Sequence, residues 1–398
     1  MQLFNKTACI QHTGRFIFPI SISVRHTMKK FYLSVIVLAI TALACGSSGT
    51  PSIPPTPQNS AFRSNETAYG FYPSPPEITL ESVFATFKGI SEHGDFVLVQ
   101  QNTDWESFVK GVDGESKART DIINQLTLAS QNNLDHVFVI DALNGLNRRE
   151  FANLPTGWDA NFANPDIRAA HKNFALWVVR NFHPRYLGLA SEINTYMDAH
   201  PEDAQNFISL YNEIYELVKV EAPETQIFVT FQWDDLNNMF PQPEEGNRQK
   251  FDTNWEQVEA FEPNLDIWAI STYPYFVFPS GKEIPKEIPA DYYSPLLTRT
   301  SKLVAVAEGG FSSEAFSQFN NTPEDQVAYL NAIHTQLGPR LAFWVNTLLS
   351  DLNIDSYAKE MRNSDDAAML GNFAYIGFQN FDGSPKPALE LWDSFQEK

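Results

Sequence analysis

Two apolar runs in this 398-residue chain end on glutamate. Tyr186-Leu187-Gly188-Leu189-Ala190-Ser191 leads into Glu192, and Leu303-Val304-Ala305-Val306-Ala307 leads into Glu308. Side chains alternate along a strand, so Glu192 shares a face with Gly188 and Ala190, and Glu308 shares one with Val304 and Val306. Small and branched companions suit a packed interior, and a carboxylate that follows them stands at its rim. Two carboxylates facing one cavity can divide acid–base work. One protonates a leaving oxygen while the other attacks or activates water, which is what cleavage of a glycosidic bond requires. A single glutamate so placed is commonly a solvated loop residue; the pairing argues for chemistry.

The elements that must position this pair alternate in type. From Ala68 onward, apolar runs at 69–72, 96–99, 136–140, 186–190, 227–231, 267–270, 303–307 and 341–345 alternate with helical periods. Helix starts are chemically clear. Thr79 precedes Leu80, Val83, Phe84, Phe87 and Ile90 on one face, and Asn164-Pro165-Asp166 and Thr322-Pro323-Glu324-Asp325 each offer a cap, a first-turn Pro and an acid. Helices are also expected over 119–129, 201–221 and 387–395, the second burying Phe207, Leu210, Ile214, Leu217 and Val218. Eight strand–helix units in about 330 residues imply a single-domain α/β fold, a closed parallel (β/α)8 TIM barrel. No glycine-rich dinucleotide loop follows the first strand, which removes the main reason to expect an open sheet. In a closed barrel the site lies at the C-terminal ends of the strands, where Glu192 and Glu308 end the fourth and seventh.

Other strand ends offer polar candidates for lining that site: Gln100 and Asn102 after the second, Asp141 and Asn144 after the third, Gln232, Trp233 and Asp234 after the fifth. Each has the plainer alternative of a capped turn or a solvated loop.

The segments Glu192-Ile193-Asn194 and Glu308-Gly309-Gly310-Phe311 resemble the clan A retaining glycoside hydrolases. Within the clan, residues 228–233, 266–275 and 382–389 are similar to the fifth, sixth and terminal segments of arabinogalactan endo-β-1,4-galactanases and their uncharacterised relatives. The likeness runs from about Tyr69 to Phe395 on short motifs. It implies that Glu192 is the acid/base and Glu308 the nucleophile. Tyr273 would hold the charged nucleophile, with a core or rim aromatic before a Pro turn as the alternative, and Trp344 would be the platform under the sugar. A Trp344 turned outward onto the helices is the alternative, because the register of Phe343-Trp344 is ambiguous. Clan A enzymes normally carry Asn before the acid/base, where it grips the sugar 2-hydroxyl; here Ser191 stands there. Asn194, Gln232 or a bridging water could compensate. The same departure keeps open a non-catalytic carbohydrate-binding barrel.

Residues 1–66 read as address and tether. Met28-Lys29-Lys30 opens a basic region before a mostly apolar stretch too short to span a bilayer comfortably, so the natural start is expected at Met28. Leu43-Ala44-Cys45-Gly46 resembles a bacterial lipoprotein processing site, with Ala42 where such sites usually carry Leu. Cys45 would then be lipidated and the protein exported and anchored to a bacterial membrane; ordinary secretion with cleavage after Ala44 is the alternative. The tether, residues 46–66, is rich in Gly, Ser, Pro and Thr, and the barrel takes 67–398. Cys9 and Cys45 are the two cysteines, so no disulfide framework is expected in the barrel.

Formal charge is −20 for the whole chain and −25 once the five basic residues up to Ala44 are removed. Such a surface repels polyanions, which makes nucleic acid and anionic polysaccharides poor partners, so no nucleic-acid partner is expected, and leaves neutral carbohydrate open. The 31 Phe, 14 Tyr and 8 Trp supply ring faces for sugars, although most must be core. Histidines at 12, 26, 93, 136, 171, 183, 200 and 334 have no metal-ligand spacing, and no Gly-x-Ser-x-Gly elbow occurs. A monomer acting without cofactor or metal is expected.

Overall fold

A computed structural model describes residues 62, 66–112, 116–240, 249–278, 288–316, 319–360 and 364–396. The expected leader, Met28, Cys45 and nearly all of the tether lie outside the described residues. The strands are β1 Ala68–Phe71, β2 Phe96–Asn102, β3 Asp135–Asp141, β4 Tyr186–Gly188, β5 Gln226–Phe228 continued as Thr230–Gln232, β6 Trp268–Thr272, β7 Val304–Gly309 and β8 Leu341–Asn346. All neighbours pair in parallel. The two halves of β5 close the ring. Before Val229 the strand pairs with β4 (Leu187 opposite Ile227), and after it with β6 (Phe231 opposite Ile270). The result is an eight-stranded (β/α)8 barrel, as the alternation implies.

Around it run α1 Leu80–His93, α2 Lys117–Gln131, α3 Pro165–Phe182, α4 Ala204–Glu221, α5 Trp255–Glu259, α6 Ser294–Arg299, α7 Pro323–Leu337 and α8 Pro387–Ser394. The predicted caps are in place: Thr79 accepts from Ser82 N and Asn164 from Asp166 N. Thr322 and Asp325 form a reciprocal capping box. Thr322→Ala removes it and is expected to cost about 1 kcal/mol, read as a lower thermal midpoint. The helix expected from 201 begins at Ala204 instead, after a turn over residues 201–203. Its Leu217 is 38% exposed rather than buried, while Phe207, Leu210, Ile214 and Val218 face the core as expected.

The lower interior of the ring is filled by aromatic side chains from strand starts. Phe343 packs on Tyr186, Phe96 and Phe228 with ring centroids 4.9–5.9 Å apart. Phe62, ahead of β1, packs on Phe96 with a tilted ring and on Tyr186 edge-to-face from beneath. Gly188 is required higher up, because a Cβ there would stand 2.9 Å from Val139 and 3.0 Å from Phe228. The far end of the ring, where the strands finish, is left for polar groups.

Candidate active site

Glu192 and Glu308 both stand at that end, and one guanidinium joins them. Arg148 comes from a hairpin (Leu143–Asn144 with Asn147–Phe151) that follows β3. Its Nε donates to Glu192 Oε2 at 2.9 Å, Nη1 pairs with Asp141, Nη2 donates to Ser191 Oγ at 3.3 Å, and Nη2 lies 3.8 Å from Glu308 Oε2. The width of a guanidinium then limits the two glutamates to at most about 9 Å between these oxygens. That bound is within the reach of two carboxyl groups sharing one glycosidic bond, roughly 5 Å when retaining and up to about 9.5 Å when inverting.

Glu192 is held by its backbone as well. It adopts a left-handed conformation (φ 50°) at the start of a short helix, Ile193–Ala199, and its N–H donates to Thr230 Oγ1 at 2.7 Å. Ser271, at the end of β6, donates to Glu192 Oε1 at 2.5 Å. A non-glycine residue in this region of φ/ψ space persists when its surroundings over-determine it, and such residues concentrate at functional sites.

Glu308 receives the Tyr273 hydroxyl on Oε1 at 2.8 Å and the Tyr72 hydroxyl on Oε2 at 3.1 Å. Thr347, just past β8, lies 2.8 Å from the same Tyr273 hydroxyl. Asp234 fixes the tyrosine from behind by accepting from Tyr273 N, Gln232 and the Tyr292 hydroxyl. Burial and the nearby Glu192 carboxylate push the Glu308 carboxyl up to about 7, against the pull of Arg148 and the two tyrosines. Burial opposes the charge on Arg148, but Asp141, Glu192 and Glu308 outweigh it and keep the guanidinium's pKa above its ordinary value. Burial also raises Asp141, with Arg148 pulling the other way. Tyr273 and Tyr72 are raised well above the usual phenol range by burial and by Glu308, so both remain hydroxyl donors.

Tyr273→Phe removes one charge-assisted hydrogen bond from Glu308. Such bonds contribute roughly 1.5–3 kcal/mol, so about a tenfold to hundredfold fall in kcat is expected for any reaction that uses the Glu308 carboxylate. The acidic limb of the pH profile should move upward. An unchanged limb would show that the hydroxyl does not act on Glu308.

Several residues expected at the site fill other roles. Trp344 is not a sugar platform. It is fully buried and packs outward on Trp392 (5.0 Å) and Phe395 (5.9 Å), because Phe343 takes the inward register. Trp233 is likewise completely buried, among Trp255, Tyr292 and Tyr293. Asn194 exchanges hydrogen bonds with the Gln232 main chain, and the Gln232 side chain caps Asp235 N, so neither stands in for the missing Asn. Asp141 and Gln100 do reach the cluster: Gln100 donates to Asp141 at 3.0 Å and accepts from Tyr72 at 2.9 Å. The aromatic surface beside Tyr273 comes from Phe373 (4.9 Å) and Phe276 (6.5 Å), both half-buried. Among the described residues, no group of three His, Cys, Asp or Glu could hold a metal ion.

This barrel recurs among known structures. An exo-β-1,4-mannosidase from Opitutaceae bacterium strain TAV5 superposes with a TM-score of 0.59 at 13% identity, over 83% of this chain and 59% of that one. A family 39 glycoside hydrolase from Bacteroides cellulosilyticus WH2 gives 0.51 at 15%, over 83% and 63%. A fungal β-1,4-galactanase gives 0.53 at 12%, over 82% and 99%. The fold is theirs. The chain spans about three fifths of the length of the first two. No sequence-family model matches it, and no curated protein sequence does. The fold likeness extends to mannosidase and galactanase alike, and does not favour a galactanase in particular.

Proposed function

We propose that this protein hydrolyses β-glycosidic bonds of a neutral oligo- or polysaccharide by double displacement. Glu192 serves as acid/base and Glu308 as nucleophile, on a barrel exported and lipid-anchored through Cys45. One observation carries the reading: the acids that follow β4 and close β7 meet across a single guanidinium, with Tyr273 donating to Glu308. In the first half of the reaction Glu308 would attack the anomeric carbon while Glu192 protonates the departing oxygen. In the second, Glu192 would take a proton from the water that releases the sugar. The glycosidases that share the fold support this reading, since their names span β-mannoside and β-galactan cleavage.

A nucleophilic Glu308 must be ionised. With its carboxyl near 7, kcat/KM should fall as pH drops below about 7, rather than below the ordinary carboxylate range. A pH–rate profile on one substrate measures this, and an acidic limb near 4 would contradict it.

The ion pair between Arg148 and Glu192 favours a second reading, a barrel that binds sugar without cleaving it. A screen of neutral β-linked oligosaccharides on the native protein, Glu192→Gln and Glu308→Gln separates the two. Hydrolysis predicts reducing sugar from the native chain alone. Glycan binding with equal, background release from all three would establish the binding protein instead.

A further inference from the structure

The position before Glu192 is short, and Arg148 occupies the space beside it. Resting on the hydrolase reading, we propose that Nη2 of Arg148 is the donor that meets the sugar hydroxyl next to the carbon under attack, making Arg148 a positioning residue for the ring. A guanidinium offers five N–H donors and no acceptor. Here Nε is committed to Glu192, one Nη1 hydrogen to Asp141, and one Nη2 hydrogen, weakly, to Ser191 Oγ at 3.3 Å. The 3.8 Å from Nη2 to Glu308 Oε2 is too long for a hydrogen bond. One hydrogen on Nη1 and one on Nη2 therefore have no acceptor in reach among the described residues, and Nη2 is the nitrogen beside Glu308.

That gap suits a bridging hydroxyl, which accepts from Nη2 and donates to Glu308 Oε2. In a sugar attacked by Glu308, the hydroxyl one carbon away falls beside the attacking carboxylate, and contacts to it strengthen in the transition state. The competing donors are weaker. The Tyr72 hydroxyl divides one proton between Gln100 and Glu308, and the Ser191 hydroxyl lies near both Thr230 and Glu308. Arg148 is charged and already fixed. Asp141, completely buried, anchors it, and is itself held by Gln100 and by Leu143 N. A donor locked before the sugar arrives need not reorganise when charge develops.

Two iminosugars that differ in this hydroxyl test the assignment without needing turnover. Isofagomine lacks it, and the 2-hydroxylated counterpart carries it. Each is titrated calorimetrically, in gluco and galacto configuration, into the native chain, Arg148→Gln and Arg148→Lys. The native chain should favour the hydroxylated compound by about tenfold or more in one configuration, the size of a charge-assisted hydrogen bond. Arg148→Gln should bring the two affinities within about twofold. Arg148→Lys, which keeps a cation among the three carboxylates, should give an intermediate ratio and carries the comparison if the Gln variant does not fold. An equal preference in native and variant protein overturns the proposal, as does a native chain with no preference or no binding. A preference without hydrolysis of any glycoside leaves Arg148 in this role and removes the hydrolase reading. Hydrolysis without a preference does the reverse.

Discussion

Glu308→Gln should abolish turnover and at the same time make the protein harder to melt above pH 7. Under the nucleophile role proposed for it, losing the Glu308 carboxylate costs roughly ten-thousandfold or more in kcat. The stability effect follows from the same burial. The carboxyl titrates near 7 in the fold and near 4.5 when exposed, so the folded state holds this proton more tightly than the unfolded chain. Below about pH 4.5 the residue is protonated in both states and costs nothing. As pH rises through 7 the folded protein must ionise a buried group, and above 7 it bears the whole penalty, about 3 kcal/mol at 1.36 kcal/mol per unit. A neutral amide removes that penalty. The variant's thermal midpoint should exceed the native one by about 5 °C at pH 8 and match it at pH 4.5. Equal midpoints at both pH values would mean that Glu308 is not buried beside another carboxylate.

Arg148→Ala is the second large effect, in the opposite direction. The guanidinium is 7% exposed and touches Asp141, Glu192 and Glu308. Its removal leaves three acids in a small space with no counter-charge, and breaking a buried pair from one side costs about 3–5 kcal/mol. Urea unfolding at pH 7 should show that loss. It should shrink in acid, where protonated carboxyls no longer need a cation. A loss under about 1 kcal/mol at pH 7 would place the arginine outside the cluster. The two variants together describe one balance: Glu308 is costly to charge, and Arg148 limits that cost.

The barrel and its two acids could be read from residue order because both rest on local signals. Apolar runs repeat with flanking caps such as Thr79 and Thr322, and a strand's last residue is defined by where its apolar run stops. Arg148 could not be read this way. It lies on a hairpin inserted after β3, away from any strand end, and meets Glu192 through contacts 44 residues apart. The Asn144-Gly145 dipeptide was a usable hairpin signal, though nothing nearby says that its second strand turns an arginine inward. Tyr72 closes the first apolar run, 69–72, and Ser271 stands one residue past the sixth, 267–270, and neither hydroxyl at a strand end signals chemistry as a pair of glutamates does. Trp344 misled for the complementary reason. One residue of register turns a side chain from the mouth to the outer helices, and Phe343-Trp344 offered two aromatics for one inward place.

Phe62 bears on which way the molecule faces. It seals the ring from below, against the first residues of β2 and β4, whereas Glu192 and Glu308 stand where strands finish. Phe62 therefore marks the pole opposite the chemistry. Under the anchoring proposed through Cys45, the attachment would leave the open end of the barrel unobstructed, free to receive a long glycan from the surroundings.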